Sequence, residues 1–201
     1  MSLLRQPPER LVVAVGAASG AAYARLLLEA VVPVVPEVAV VLSRTAPTVI
    51  AAELDLPHDD LLADLPPAVG QVTRWAGDDY NAPFASGSNA YDAMVVVPAS
   101  GGLLGRLAAG VSDSLITRAA DVCLKERRPL ILVPRETPLN TIHLRNQLLL
   151  AEAGALILPA SPSFYQRPQT VREVLHTVVD RILDHLALPR PNSPRWAEDS
   201  D

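Results

Sequence analysis

The sequence predicts a three-layer α/β sandwich of the Rossmann or flavodoxin-like kind, built on a parallel sheet. Three observations predict it. Five short aliphatic runs recur along the chain with almost no polar residue inside them: LVVAV (11–15), VAVVL (38–42), MVVVP (94–98), LILVP (130–134) and ALILP (155–159). Strands that are apolar on both faces belong in a parallel sheet covered by helices on each side. Helical patterns lie between these runs, and regular alternation of strand and helix marks a doubly wound fold. Finally, 201 residues, 49% of them hydrophobic, suffice for one full core without staples.

Taken in order, the first strand runs into GAASG (16–20), a loop of small residues ahead of a helix over 21–30. The second strand leads to a helix over 45–53. Residues 57–89, rich in Pro, Asp and Gly, read as the least regular stretch, a flap or a subunit contact. After the third strand PASGG (98–102) repeats the small-residue loop, and the pattern then reads as one long helix over 103–127. The fourth strand passes through RETP to a helix over 141–153, closed by Gly154 in the position that favours glycine. A capping box between Thr170 and Glu173 starts the last helix, which runs to about residue 186. Residues 1–189 thus form a single domain. The remainder, 190–201, has no hydrophobic period and reads as a tail, either disordered or held by Trp196 on a neighbouring subunit.

Composition excludes several functions. A formal net charge of −5 argues against general nucleic-acid binding, which needs a broad basic face. The apolar stretch over 26–42 is interrupted by Glu29, Pro33, Pro36 and Glu37, so it falls short of the ~20 apolar residues of a membrane span. The opening MSLLRQPPER lacks the apolar centre of a signal peptide. A single cysteine, Cys123, allows no intramolecular disulfide and no cysteine-rich zinc site, which suits the cytoplasm. Against this acidic background, RAADVCLKERRPLILVPRETP (118–138) sets Arg118, the sole lysine Lys125, Arg127, Arg128 and Arg135 against only Asp121, Glu126 and Glu136. So local an excess of cations points to one anionic ligand.

Topology places that ligand. In an open α/β sheet, ligands bind outside the carboxyl ends of the strands. The residues one to six places beyond each strand end are Ser19, Ser43, Ser100, Arg135 and Tyr165, so these five are expected at one mouth. Hydroxyls beside the amides of helix N-termini cradle a phosphate, while an arginine and a tyrosine add a charged clamp and an aromatic wall. GAASG departs from the GxGxxG dinucleotide fingerprint, and no ribose-binding acid follows the second strand, which disfavours a nicotinamide enzyme. Two small-residue loops on one sheet edge favour a phosphate-bearing cofactor. Arg118 stands among Leu115, Ile116, Ala119, Ala120 and Val122, so it is expected to be buried and to need a counter-anion, which a ligand phosphate supplies. Arg127 and Arg128 read as helix-end surface charge, and Arg181, taken alone, as an exposed helix arginine. Glu136 among cations is placed to move protons as a phosphate leaves. The four histidines, His58, His143, His176 and His185, show no zinc-ligand spacing.

These residues carry a resemblance. From LVVAVGAASGAAYARLL onward, and most densely over 85–88 (ASGS), 113–139 and 154–168, the chain resembles the UbiX-type flavin prenyltransferases nearly end to end. The resemblance implies a flavodoxin-like Rossmann domain, commonly assembled into a dodecamer, that binds FMN and dimethylallyl phosphate. It implies metal-independent transfer of the dimethylallyl group to N5 and C6 of reduced FMN, giving prenylated FMN for a UbiD-type decarboxylase. FMN contacts would fall to Ala17, Ala18, Ser19, Ser43, Ser100, Gly101, Gly102, Leu103 and Arg135. Prenyl-phosphate contacts would fall to Lys125, Glu136, Tyr165 and Arg181 with Arg118 close by, and proton handling to Ser19, Glu53 and Glu136. Tyr165, with Trp75 as a second aromatic, would shelter allylic positive charge.

Three positions depart from the family pattern. Ala17 replaces a glycine, which requires a negative φ there. Leu103 replaces a threonine after Ser100 and removes one hydroxyl from the FMN. Asn89 stands where an aromatic usually follows Ser-Gly-Ser, which bears on donor length. Two other functions compete: an FMN-dependent cysteine decarboxylase of the same fold, and a non-catalytic flavin carrier. The first carries a PASANT loop and an active-site histidine where this chain has PASGGL and Glu53. The second needs no prenyl-phosphate site.

Overall fold

The computed structural model describes residues 3–54 and 61–190. The five aliphatic runs pair side by side as β1 (Arg10–Val15), β2 (Glu37–Leu42), β4 (Ala93–Ala99), β5 (Leu130–Pro134) and β6 (Leu156–Ile157), and β3 (Gln71–Trp75) adds a sixth strand. The order is β3-β2-β1-β4-β5-β6, and every pairing is parallel. Val13 stands at the centre, in register with Val40 on one side and Val95 on the other. Both of its faces are covered, which is why these strands read as unbroken apolar runs rather than alternating ones.

Helices α1 (Ala21–Val31), α2 (Ala46–Leu54) and α6 (Val171–His185) cover one face of the sheet through Leu27, Ile50 and Ile182. The opposite face carries α3 (Gly101–Ala108), α4 (Leu115–Lys125) and α5 (Thr141–Glu152), with Leu104, Ile116 and Leu150 in the core. Each such side chain contributes roughly 1.5–3 kcal/mol on burial. The three-layer sandwich with a parallel sheet is therefore borne out.

Three details correct the sequence reading. The stretch 57–89 contains β3, an edge strand that pairs only with β2. Gln71, Thr73 and Arg74 give it a polar look because an edge strand is only partly covered. The expected helix over 103–127 is two helices. Gly110 turns the chain with φ 68, and Ser114 then starts α4 through a capping box with Thr117. The last strand is shorter than 155–159, only Leu156–Ile157. Of the tail, all but Arg190 lies outside the described residues, Trp196 included. Among the described residues no helix is long and apolar enough to cross a membrane.

This topology locates the crevice. β1 and β4 are neighbours, yet the chain leaving β1 enters α1 on one face and the chain leaving β4 enters α3 on the other. Divergence of two adjacent connections opens a cleft at the carboxyl ends of the strands.

Candidate active site

A cavity of about 720 Å³ lies at this divergence, lined by Gly16, Ala17, Ser43, Ser100 and Leu103 among others. Its size falls within the roughly 300–1,000 Å³ range of small-molecule sites. The two small-residue loops are tied across its floor. Gly16 donates its N–H to the Pro98 carbonyl at 3.0 Å, and a Cβ on Gly16 would collide with that same oxygen. Glycine is needed there for close approach. Ala17 is not among the residues with positive φ, so its methyl group is accommodated.

The hydroxyls divide by role. Ser43 Oγ is buried without a hydrogen-bond partner among the described residues, at the crevice wall. A buried donor–acceptor left unpaired costs about 1–3 kcal/mol, so this hydroxyl fits a ligand oxygen. Ser100 instead caps α3, accepting the Leu103 N–H at 3.3 Å. Leu103 itself is buried and gives the crevice an apolar wall.

Ser19, Glu53 and Arg135 form a tight group beside this lining. Gly20, with φ 116, turns the chain into α1 and leaves the first N–H groups of the helix unpaired by backbone. Glu53, from α2, supplies the cap. Its Oε2 accepts from Gly20 N at 2.8 Å and from Ala21 N at 2.7 Å. Ser19 adds its side-chain hydrogen bond to the same carboxylate. Burial pushes the Glu53 carboxyl up, but the bonds from Ser19, Gly20 and Ala21, with the Arg135 charge, outweigh it and hold the group below the usual carboxylate range. Arg135 Nε donates to the Ser19 carbonyl at 2.8 Å and so pins the loop from across the sheet.

The cationic segment is arranged differently from the sequence expectation. Arg118 is not buried away from solvent; its side chain is 34% exposed. Its counter-charge is Asp121 at 3.0 Å, and its Nε donates to the Ala85 carbonyl at 2.9 Å. The i, i+3 spacing of an arginine and an aspartate is the plainer source of an anion. Lys125 pairs with Glu126, and both lie over Gly87 of the ASGS stretch, where a side chain would clash with them. The 11 residues of α4 place Lys125 about 16 Å along the helix from its crevice end. Arg181 pairs with Asp184 at 2.7 Å on α6, which packs on the other face of the sheet. Tyr165 is 80% exposed in the loop after β6.

Of the five residues expected at one mouth, Ser43 and Ser100 line the cavity, together with Ala17 and Leu103, while Ser19 and Arg135 stand with Ala18 in the adjoining loops and Gly101 and Gly102 open α3. Tyr165 is outside the cavity lining, as are Lys125 and Arg181. Trp75 packs edge-on against Phe84 at 6.0 Å instead of facing the cavity. The sequence reading missed Arg44, Asp78 and Arg106 in the lining, and Asp113, which pairs with Arg106 at 3.6 Å. Arg44 had a signal, being next to Ser43 beyond a strand end. Asp113 had none while 103–127 was read as one helix.

A doubly wound domain with a cavity of cofactor size, small-residue loops and helix N-termini at its rim defines a nucleotide-type ligand binder. The comparisons give the class more closely: residues 3–183 match the family model described as Flavoprotein. The flavin prenyltransferase UbiX of Pseudomonas aeruginosa is 46% identical over 95% of this chain and 95% of its own length. Among solved structures, AnUbiX (PadA1) in complex with FMN and dimethylallyl pyrophosphate superposes with a TM-score of 0.87 at 38% identity, covering 98% of this chain and 100% of that one. A dodecameric FMN-dependent UbiX-like decarboxylase from Escherichia coli O157:H7 gives 0.85 at 41% identity, over 93% and 98%. The chain belongs to the flavoprotein family and, within it, to the UbiX flavin prenyltransferases.

Proposed function

We propose that this protein transfers a dimethylallyl group to reduced FMN, making prenylated FMN for a UbiD-type decarboxylase. The observation that carries the reading is the Ser19–Glu53 pair under Arg135. The Ser19 hydroxyl is bonded to a carboxylate that can receive the proton it passes on, an arrangement that serves proton transfer as well as capping α1.

The residues suit FMN. Ser43 offers an unpaired buried hydroxyl, the loop over 16–20 offers close backbone, and the cavity is large enough. When bound, reduced FMN supplies the nucleophilic N5 and C6. The chain does the rest. Ser43 and the amides after β1 and β4 hold the flavin, and Leu103 shields it from water. Arg135 fixes the Ser19 loop, so that Ser19, backed by Glu53, stands ready to accept the proton displaced as the new bonds form. Glu136, exposed and able to draw a proton from solvent, passes it to the departing phosphate, whose charge Lys125, Arg181, Arg118 and the Tyr165 phenol stabilise. AnUbiX was solved with the pyrophosphate; dimethylallyl phosphate and pyrophosphate are both donors to compare.

These phosphate-binding residues cannot close on one donor within a single chain, because the sheet stands between Lys125 on α4 and Arg181 on α6. Neighbouring copies bring them together. Self-association also covers α5, where Ile142 is 65% exposed beside exposed Leu148 and Leu149. A dodecamer like that of the Escherichia coli relative meets both needs, and the cytoplasm, where Cys123 stays reduced, is the fitting compartment.

The test is delivery. Given reduced FMN and dimethylallyl phosphate as separate components under anaerobic conditions, the protein should activate a UbiD-type apo-decarboxylase. Activation only by ready-made prenylated FMN would establish a carrier. Release of carbon dioxide from a cysteine substrate would establish the decarboxylase.

A further inference from the structure

We propose that His143 is a positioning residue that holds the Glu136 carboxyl group in place for its proton transfer to the leaving phosphate, a role that rests on the prenyl-transfer reading above. Two side chains converge on Gly101, the first residue of α3. A Cβ there would sit 2.8 Å from His143 Nε2, 3.0 Å from its Cδ2 and 3.4 Å from Glu136 Oε2. Imidazole and carboxylate therefore approach one point at the crevice rim, and only a residue without a side chain leaves them room. Gly105, one turn further on, faces Asn146 of α5 in the same way, with a Cβ position 3.3 Å from its Nδ2. The glycines of α3 form a flat seat for α5, and His143 is the residue of that seat nearest the chemistry.

The imidazole is also oriented. His143 lies at the third position of α5, where its backbone N–H donates to Asn140 Oδ1 at 2.8 Å and its Nδ1 accepts the Asn140 N–H at 3.5 Å. A ring whose Nδ1 accepts must carry its proton on Nε2, so the hydrogen-bond network assigns an Nε2–H tautomer. That nitrogen lies beside Gly101, the same point that Glu136 Oε2 approaches. Catalytic hydrogen bonds are often long before substrate binds and tighten afterwards, so a near approach suffices. As the carbon–oxygen bond of the donor breaks, its electron pair passes to the phosphate oxygen, and Glu136, which is exposed and takes its proton from solvent beforehand, transfers that proton there. His143 then holds the resulting carboxylate by its Nε2–H, leaving the proton count of the ring unchanged.

The experiment pairs kinetics with a measurement independent of turnover. His143→Phe should lower kcat for FMN prenylation about 10–100-fold, the scale of a misplaced catalytic group, while FMN Kd stays within about twofold. His143→Gln, which restores a donor near Nε2, should recover part of the loss. On histidine-ring-labelled protein, ¹⁵N NMR should report the Nε2–H tautomer at His143, and Glu136→Gln should move its Nε2 signal. Unchanged kcat in His143→Phe, equal loss of FMN binding, or an Nε2 signal indifferent to Glu136→Gln would each overturn the role. If the wild type prenylates nothing, the functional reading fails, whereas the NMR arm still decides whether His143 and Glu136 are coupled.

Discussion

Glu53 Oε2 accepts the backbone N–H of Ala21 at 2.7 Å, so a carboxylate from α2 caps the helix that follows β1. A negative group there satisfies unpaired amides and meets the positive end of the helix dipole. One side chain thereby joins the folding of α1 to the placement of Ser19.

Glu53→Gln should expose both functions. The amide keeps an acceptor oxygen but loses the charge that meets the helix dipole, a change of about 0.3–1 kcal/mol at an exposed site, so unfolding in urea should begin at lower concentration. The Glu53 pKa is depressed in the folded state, so its stabilisation is present above the unfolded value near 4.5 and is lost as pH falls through the lower folded value. The stability difference between wild type and Glu53→Gln should therefore be full at neutral pH and shrink below about pH 4.5. A difference that stays constant down to the acid limit would show that Glu53 is not held as a carboxylate.

Asp180 gives the opposite case. It is 2% exposed on α6, and neither carboxylate oxygen has a hydrogen-bond partner among the described residues. Since an unsatisfied buried polar group costs about 1–3 kcal/mol, Asp180→Ala should raise the urea midpoint and Tm. A loss of stability would reveal a partner for the carboxylate in the assembled protein.

Cys123 should be inert in the native state. Burial pushes its thiol up to about 12, against a slight downward pull from Arg128, so almost no thiolate exists near neutral pH. A disulfide reagent should label it fully in denaturant and slowly without it. Rapid native labelling with loss of prenylation would place the thiol at the working surface.

Most of the fold was legible because its strands are doubly covered. Five of six strands are aliphatic runs of the kind a doubly covered parallel sheet takes, and topology then put Ser43 and Ser100 at the crevice. β3 escaped because an edge strand tolerates Gln71, Thr73 and Arg74. The break between α3 and α4 escaped because both sides keep a helical period, and only Gly110 and the Ser114 cap divide them. Arg118 looked buried because its sequence neighbours are apolar, yet those residues face the core while Arg118 turns to Asp121. His143 was passed over for want of metal spacing. Its meaning lies in the missing Cβ of Gly101, a contact between α3 and α5 that no local pattern encodes.

The most direct test of the account is the mass of the flavin after anaerobic incubation of the protein with reduced FMN and dimethylallyl phosphate. A flavin heavier by one prenyl unit is the result expected, with formation slowed by Glu136→Gln while FMN remains bound. Bound FMN of unchanged mass, with either the phosphate or the pyrophosphate donor, would contradict it.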